Sequence, residues 1–203
     1  MPSPFDQSTY QVRLDWGVDG LARLAPADIV IVVDVLRFSS TVADEVARGR
    51  EVGLADALAW SRNGAAVADA ASEALVLLGG IRNAAAVARA VQTVQERRRA
   101  RTSVAVIAAG EADAAGVVRL ATEDQLGAGA IVAALTDLGI DHTAPEAAVA
   151  AEGFRALSPG AASPGGGDRL GPRARRGGGI HRAHGGRGCR ADLRRGRRRS
   201  GCR

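Results

Sequence analysis

Short β-branched runs alternate with longer alanine-rich stretches along the first 157 positions of the chain. Asp28–Val33 (DIVIVV) is an unbroken apolar run of strand length, the pattern of a strand covered on both faces. Ala74–Leu78 (ALVLL) and Ser103–Ala108 (SVAVIA) read as further strands. Tyr10–Trp16 alternates instead, which suits an edge strand, and Glu51–Ala55 offers a further short strand. Between these runs, Ser39–Arg48, Asn63–Ala71, Asn83–Arg97, Glu123–Leu138 and Pro145–Leu157 read as helices. Ser39 or Ser40 would cap the first of them and Asn83 the third. Repeated β–α order predicts an α/β fold with a mainly parallel sheet and helices on its faces.

In such a sheet, ligands lie beyond the carboxyl ends of the strands, where loops feed helix N-termini. Four loops fall there: Asp34–Ser40, Ser61–Gly64, Gly79–Asn83 and Gly110–Asp124. In the first, Asp34 ends a strand, Arg37 follows, and Ser39, Ser40 and Thr41 open a helix. A helix start holds anions, an arginine fork matches phosphate or sulfonate oxygens, and a strand-end Asp ligates Mg²⁺ or acts as a base. The same residues also suit a plain helix cap beside a local Asp34–Arg37 ion pair. In LGGIRN (Leu78–Asn83), Gly79 and Gly80 allow close backbone approach to an anion, or simply a tight turn. Arg82 just ahead of a helix start opposes the helix dipole, a conflict that a bound anion relieves. Asn63–Gly64 is first of all a turn signal. Glu123 and Asp124 in a first helical turn complement the dipole or hold a hard cation. Gly127 and Gly129, inside the same helix, point to close packing there, since each costs about 1 kcal/mol against alanine.

Composition removes several classes. The chain has no lysine, so there is no Walker A sequence. The glycines around residue 127 follow an acidic pair rather than a strand, a poor dinucleotide fingerprint. His142 is the one histidine before residue 158, and both cysteines, Cys189 and Cys202, lie after it, which disfavours zinc. No apolar run approaches the roughly 18 residues of a membrane span, and the start lacks the pattern of a secretory signal. The expected location is the cytoplasm.

Taken in order, VVDVLRFSSTV (Val32–Val42), the Asn63–Gly64 pair, GGIRNAAAVA (Gly79–Ala88) and AAGE…EDQLGAGAI (Ala108–Glu111, Glu123–Ile131) resemble the 2-phosphosulfolactate phosphatase family over roughly residues 10–155. The resemblance implies a three-layer α/β/α fold and Mg²⁺-dependent hydrolysis of 2-phospho-3-sulfolactate to 3-sulfolactate and phosphate. It implies that Asp34, Arg37, Glu123 and Asp124 form the catalytic group, with Asp34, Glu123 and Asp124 at the metal. Ser39, Ser40, Thr41, Asn63, Gly64, Gly80, Arg82 and Asn83 would bind or shape the site for the substrate. The expected partner is a small anionic phospho-acid, with no membrane, and a homo-oligomer is compatible with this reading. Another small phospho-acid is the alternative substrate.

Charge divides the chain at about residue 158. Residues 1–157 carry 14 arginines against 20 acids, a net of −6, whereas residues 158–203 carry 13 arginines against two acids, a net of +11. The second segment holds 13 of the 26 glycines and few aliphatic residues, too little apolar surface to offset chain entropy, so it is expected to be disordered. It reads as an arm that binds nucleic acid non-specifically, as an inert extension, or as out-of-frame translation of a GC-rich gene. Its abrupt onset, where the family's fold continues, favours the last and leaves the domain incomplete at its C-terminal end.

Overall fold

The computed structural model describes residue 3, residues 5–53, residue 56 and residues 61–158. The expectations for the arginine-rich segment beyond Ser158 fall outside these residues. The elements are β1 (Val12–Trp16), α1 (Gly17–Arg23), β2 (Ile29–Val33), α2 (Phe38–Ala47), α3 (Arg62–Ala70), β3 (Leu75–Gly79), a 3-10 turn (Ile81–Asn83), α4 (Ala84–Arg98), β4 (Val104–Ala108), β5 (Glu111–Ala112), β6 (Val118–Arg119), α5 (Thr122–Asp137) and α6 (Pro145–Leu157).

Strands β1 to β4 form one parallel sheet in the order β1-β4-β2-β3. The two unbroken apolar runs, β2 and β4, are buried at every position and sit side by side in the centre. The alternating run β1 is an edge strand, as its pattern predicts. Because side chains alternate across a strand, the sheet feeds two cores. Ile29, Ile31 and Val33 pack with Val87 and Val91 of α4 and with Ile131 and Leu135 of α5, which α6 covers. Val30 and Val32 pack on the other face with Leu24, Phe38 and Ala65, Val67 and Ala68 of α3. The architecture is therefore three-layered, α/β/α.

The two glycines inside α5 mark the close approaches that their helical cost suggests. A Cβ on Gly129 would collide with the Ala150 carbonyl of α6 and stand 2.9 Å from the Phe154 Cβ. A Cβ on Gly127 would stand 2.8 Å from both Val33 and Val35.

Three local expectations are corrected. Residues 51–53 form no strand; positions 54 and 55 of the expected Glu51–Ala55 strand lie outside the described residues. Helix α2 starts one residue earlier than expected, with Arg37 at its N-cap position, because the Ser39 hydroxyl accepts from the Asp34 amide at 3.0 Å and donates to the Val32 carbonyl at 3.3 Å. Asn83 occupies the N-cap position of α4, but its side chain turns back: it accepts from the Gly80 amide at 2.9 Å and donates to the Leu78 carbonyl at 3.0 Å. Both polar side chains close strand-to-helix turns instead of capping the helix ahead.

Candidate functional site

The helices that follow β2 lie on one face of the sheet, whereas those that follow its neighbours β3 and β4 lie on the other. Chains leaving adjacent strands in opposite directions open crevices at the carboxyl edge, and such switch points are where open α/β sheets take ligands. The end of β2 has one on each side.

Toward β3 the crevice is a cleft of about 420 Å³. Five of the residues chosen from sequence line it: Ser39, Ser40, Gly80, Arg82 and Asn83. Helix α2 presents Ser40, Ala43, Asp44 and Ala47, one face at i, i+3, i+4 and i+7 spacing. The Ser40 hydroxyl donates to the Val35 carbonyl at 2.7 Å, so its proton is held back and its lone pairs face outward. Arg82 reaches across the mouth to Asp44 at 2.8 Å, with its side chain largely exposed. Asp44 carries no motif and escaped the sequence reading; the signal was its position one helical turn beyond Ser40.

Toward β4 the crevice is filled by carboxylates. Asp34, 5% exposed, follows the alternation of β2 onto the α3 face. Its Oδ2 accepts from the Ser61 hydroxyl at 2.5 Å and from the Gly64 amide at 3.1 Å. Ser61 also caps α3 by accepting from the Gly64 amide at 3.3 Å. Gly64 is there for space: a Cβ would stand 2.7 Å from Asp34 Oδ2 and 2.8 Å from the Phe38 ring. The side-chain amide of Asn63 donates to the Gly110 carbonyl at 3.0 Å, tying α3 to the end of β4.

Asp124, 3% exposed at the start of α5, joins the β2 and β4 loops. One of its oxygens accepts from the Val35 amide at 2.7 Å and the other from the Gly110 amide at 2.9 Å. Burial pushes its carboxyl up to about 6; the nearby Asp34 and Glu123 charges push the same way, and the two amide bonds oppose them. Ser61 and Gly110 thus join the site as residues that sequence alone did not single out for a role. A Ser three positions ahead of a Gly at a helix start was the available signal for Ser61.

The expected residues therefore fall into two groups. Ser39, Ser40, Gly80, Arg82 and Asn83 share the cleft, while Asp34, Asn63, Gly64 and Asp124 form the buried latch beside it. Ser39 links the groups, since its amide donates to the Asp34 carbonyl at 2.8 Å. Arg37 is exposed, Thr41 is half-buried in the first turn of α2, and Glu123 is half-buried next to Asp124. The suggested Asp34–Arg37 ion pair is not formed: the Asp34 carboxylate bonds to Ser61 and Gly64 instead.

As a magnesium site the edge offers a sparse donor set. Among the described residues no three His, Cys, Asp or Glu side chains converge on one point, and Asp124 has an amide on each oxygen. Magnesium commonly takes only one or two carboxylates and completes its shell with water and substrate phosphate.

No protein-family model matches the chain, and a search of the curated proteins finds no match. Among the described residues no helix is long and apolar enough to cross a membrane.

Proposed function

We propose that this protein is a magnesium-dependent phosphatase acting on a small anionic phospho-acid, 2-phospho-3-sulfolactate, in the cytoplasm. The observation that carries the reading is the convergence of Ser39, Ser40, Gly80, Arg82 and Asn83 on one cleft beside the buried Asp34. In this reading Arg82 takes an acidic group of the substrate, and the outward lone pairs of Ser40 accept a hydrogen bond from a hydroxyl or protonated oxygen. An exposed ion pair such as Arg82–Asp44 contributes only about 0.2–1 kcal/mol, and Asp44 engages a single guanidinium nitrogen, whereas a tetrahedral anion takes the fork through two parallel bonds. A phosphate or sulfonate therefore outcompetes Asp44 for the guanidinium.

Asp34 and Glu123 would hold the magnesium ion, which when bound neutralises charge on the phosphoryl oxygens. The Ser61 hydroxyl and the Gly64 amide fix one oxygen of Asp34 and leave the other to act. Asp124 keeps the β2 and β4 loops at a fixed separation. In this reading the exposed Arg37 would meet a second acidic group of the substrate.

The test is phosphate release from 2-phospho-3-sulfolactate by the purified full chain, with and without Mg²⁺, against a panel of other phospho-acids. Turnover that requires Mg²⁺ and falls at least about a hundredfold in Asp34→Ala is expected, the scale on which loss of a metal or acid–base group acts. Turnover unchanged in Asp34→Ala refutes the assignment.

A further inference from the structure

The two edges of the parallel sheet are finished differently. The outward backbone groups of β1 belong to Val12 and Leu14, and each has a partner. Val12 donates to the His142 carbonyl at 3.1 Å and accepts from the Ala144 amide at 2.8 Å. The side-chain amide of Gln7 closes Leu14, accepting from its N–H at 3.1 Å and donating to its carbonyl at 3.0 Å. At the other edge, the Leu75 amide bonds to the Asp28 carbonyl ahead of β2, so Leu75, Leu77 and Gly79 turn their backbone groups to β2 and Val76 and Leu78 turn theirs outward. The Leu78 carbonyl is taken by the Asn83 side chain at 3.0 Å. Among the described residues, the N–H and carbonyl of Val76 and the N–H of Leu78 have no partner.

An open edge is a template for another strand, and proteins block it with a charge, a proline or a bulge. Strand β3 (LVLLG) has no charge and no proline, and its register with β2 runs without a bulge. Leu75 in it and Ile81 just beyond it are both exposed. We propose that a second copy of this chain covers this edge, with β3 pairing antiparallel to β3 about a twofold axis at Leu77, so that the two sheets become one. In that register the Val76 N–H meets the Leu78 carbonyl of the second copy, which has a lone pair left beside Asn83, and the Leu78 N–H meets the Val76 carbonyl of the second copy. Every outward group then has a partner on both copies. The seam is apolar on both faces: Leu77 meets its own copy on one, and Val76 meets Leu78 on the other. Charge favours the same orientation. Glu73 precedes the strand and Arg82 follows it, both exposed, so antiparallel copies set unlike charges toward each other at both ends, whereas parallel ones would set like charges together. An antiparallel ladder is also the one that closes on itself about a twofold axis, because both strands bond through the same residues.

Sedimentation velocity on the full chain, in reductant and moderate salt, at about 1 to 200 µM brackets the weak association that so short a ladder supports. Hydrogen exchange at both ends of that range follows the individual amides. A dimer is expected at the upper end, where the Val76 and Leu78 amides exchange about tenfold more slowly than at the lower end, while those of Leu75 and Leu77, already bonded to β2, change less. Val76→Pro removes an outward N–H and sets a ring in the edge, and it is expected to stay monomeric with an unchanged circular dichroism spectrum. If that variant does not fold, the exchange pattern of the unaltered chain decides. A monomer throughout, with the Val76 and Leu78 amides exchanging freely, means that the edge stays open. A monomer in which they are protected means that another segment of this chain lies on it. Either result overturns the proposal, as does a dimer that survives Val76→Pro or that forms without slowing these two amides.

Discussion

Replacing Asp124 by Asn tests whether burial or hydrogen bonding controls the latch. The folded-state pKa of about 6 lies above the ordinary 3.8, so between these values the native state binds more protons than the unfolded chain. Stability from this group is therefore full below about pH 4 and is lost as pH rises through about 6. A displacement from 3.8 to about 6 corresponds to at most about 3 kcal/mol. Asp124 is 3% exposed but lies at the carboxyl edge of the sheet rather than in its core, where the effective dielectric stays well above that of a dry interior, and about 1–2 kcal/mol is the expected remainder. Asn keeps an oxygen for one of the two amides but turns an NH₂ toward the other, leaving a buried N–H unpaired at about 1–3 kcal/mol regardless of pH. Urea unfolding followed by circular dichroism at pH 4.5 and pH 7.5 separates the two effects. The variant is expected to be the less stable at pH 4.5, with the gap closing by about 1–2 kcal/mol at pH 7.5. A gap that stays constant or widens with pH means that the Val35 and Gly110 amides favour the carboxylate more than burial disfavours it, and refutes the reasoning.

Gly129→Ala gains helix propensity of about 1 kcal/mol but drives a methyl into the Ala150 backbone, where overpacking costs about 1–3 kcal/mol or more. A lower midpoint in thermal unfolding is expected. Gly64→Ala should likewise lower stability and, by pushing on Asp34, reduce phosphate release far more than Gly129→Ala at equal stability, which a turnover assay below the melting range resolves. Asn83→Ala leaves the Gly80 amide and the Leu78 carbonyl without their side-chain partner, so a loss of about 1–3 kcal/mol in urea unfolding is expected.

The layers of the fold were legible because apolar runs of five or six residues and alanine-rich helices leave little choice of period. DIVIVV and SVAVIA are buried on both sides, as such runs demand, and VRLDW lies at an edge. Helix α1 was missed since Gly17 and Gly20 resemble turn signals, and the two-residue strands β5 and β6 are too short for any periodicity to register. The caps were misread for one reason: Ser39 and Asn83 bond backward into the turns they follow, and a cap signal does not say in which direction the side chain will reach. The site was legible as a set of loops, since strand ends of a parallel sheet share one edge. Its division was not. Whether Asp34 turns to the cleft or to α3 depends on the alternation of β2 carried one residue past its end, and Asp44 becomes visible only once α2 faces the β3 turn.

The amino-terminal strand finds its sheet partner, β4, far along the chain. Val12 pairs with Val104 on one side, and its carbonyl accepts from the Ala144 amide on the other. The Gln11 amide, next to it, bonds to His142, 131 residues away in sequence. On the ribosome, where chain emerges at about 5–20 residues per second, this first-made strand must wait several seconds for the last part of its setting to appear. An alternating, half-apolar segment left waiting is a natural client for a chaperone, and truncations ending before residue 144 deny it the neighbour it waits for.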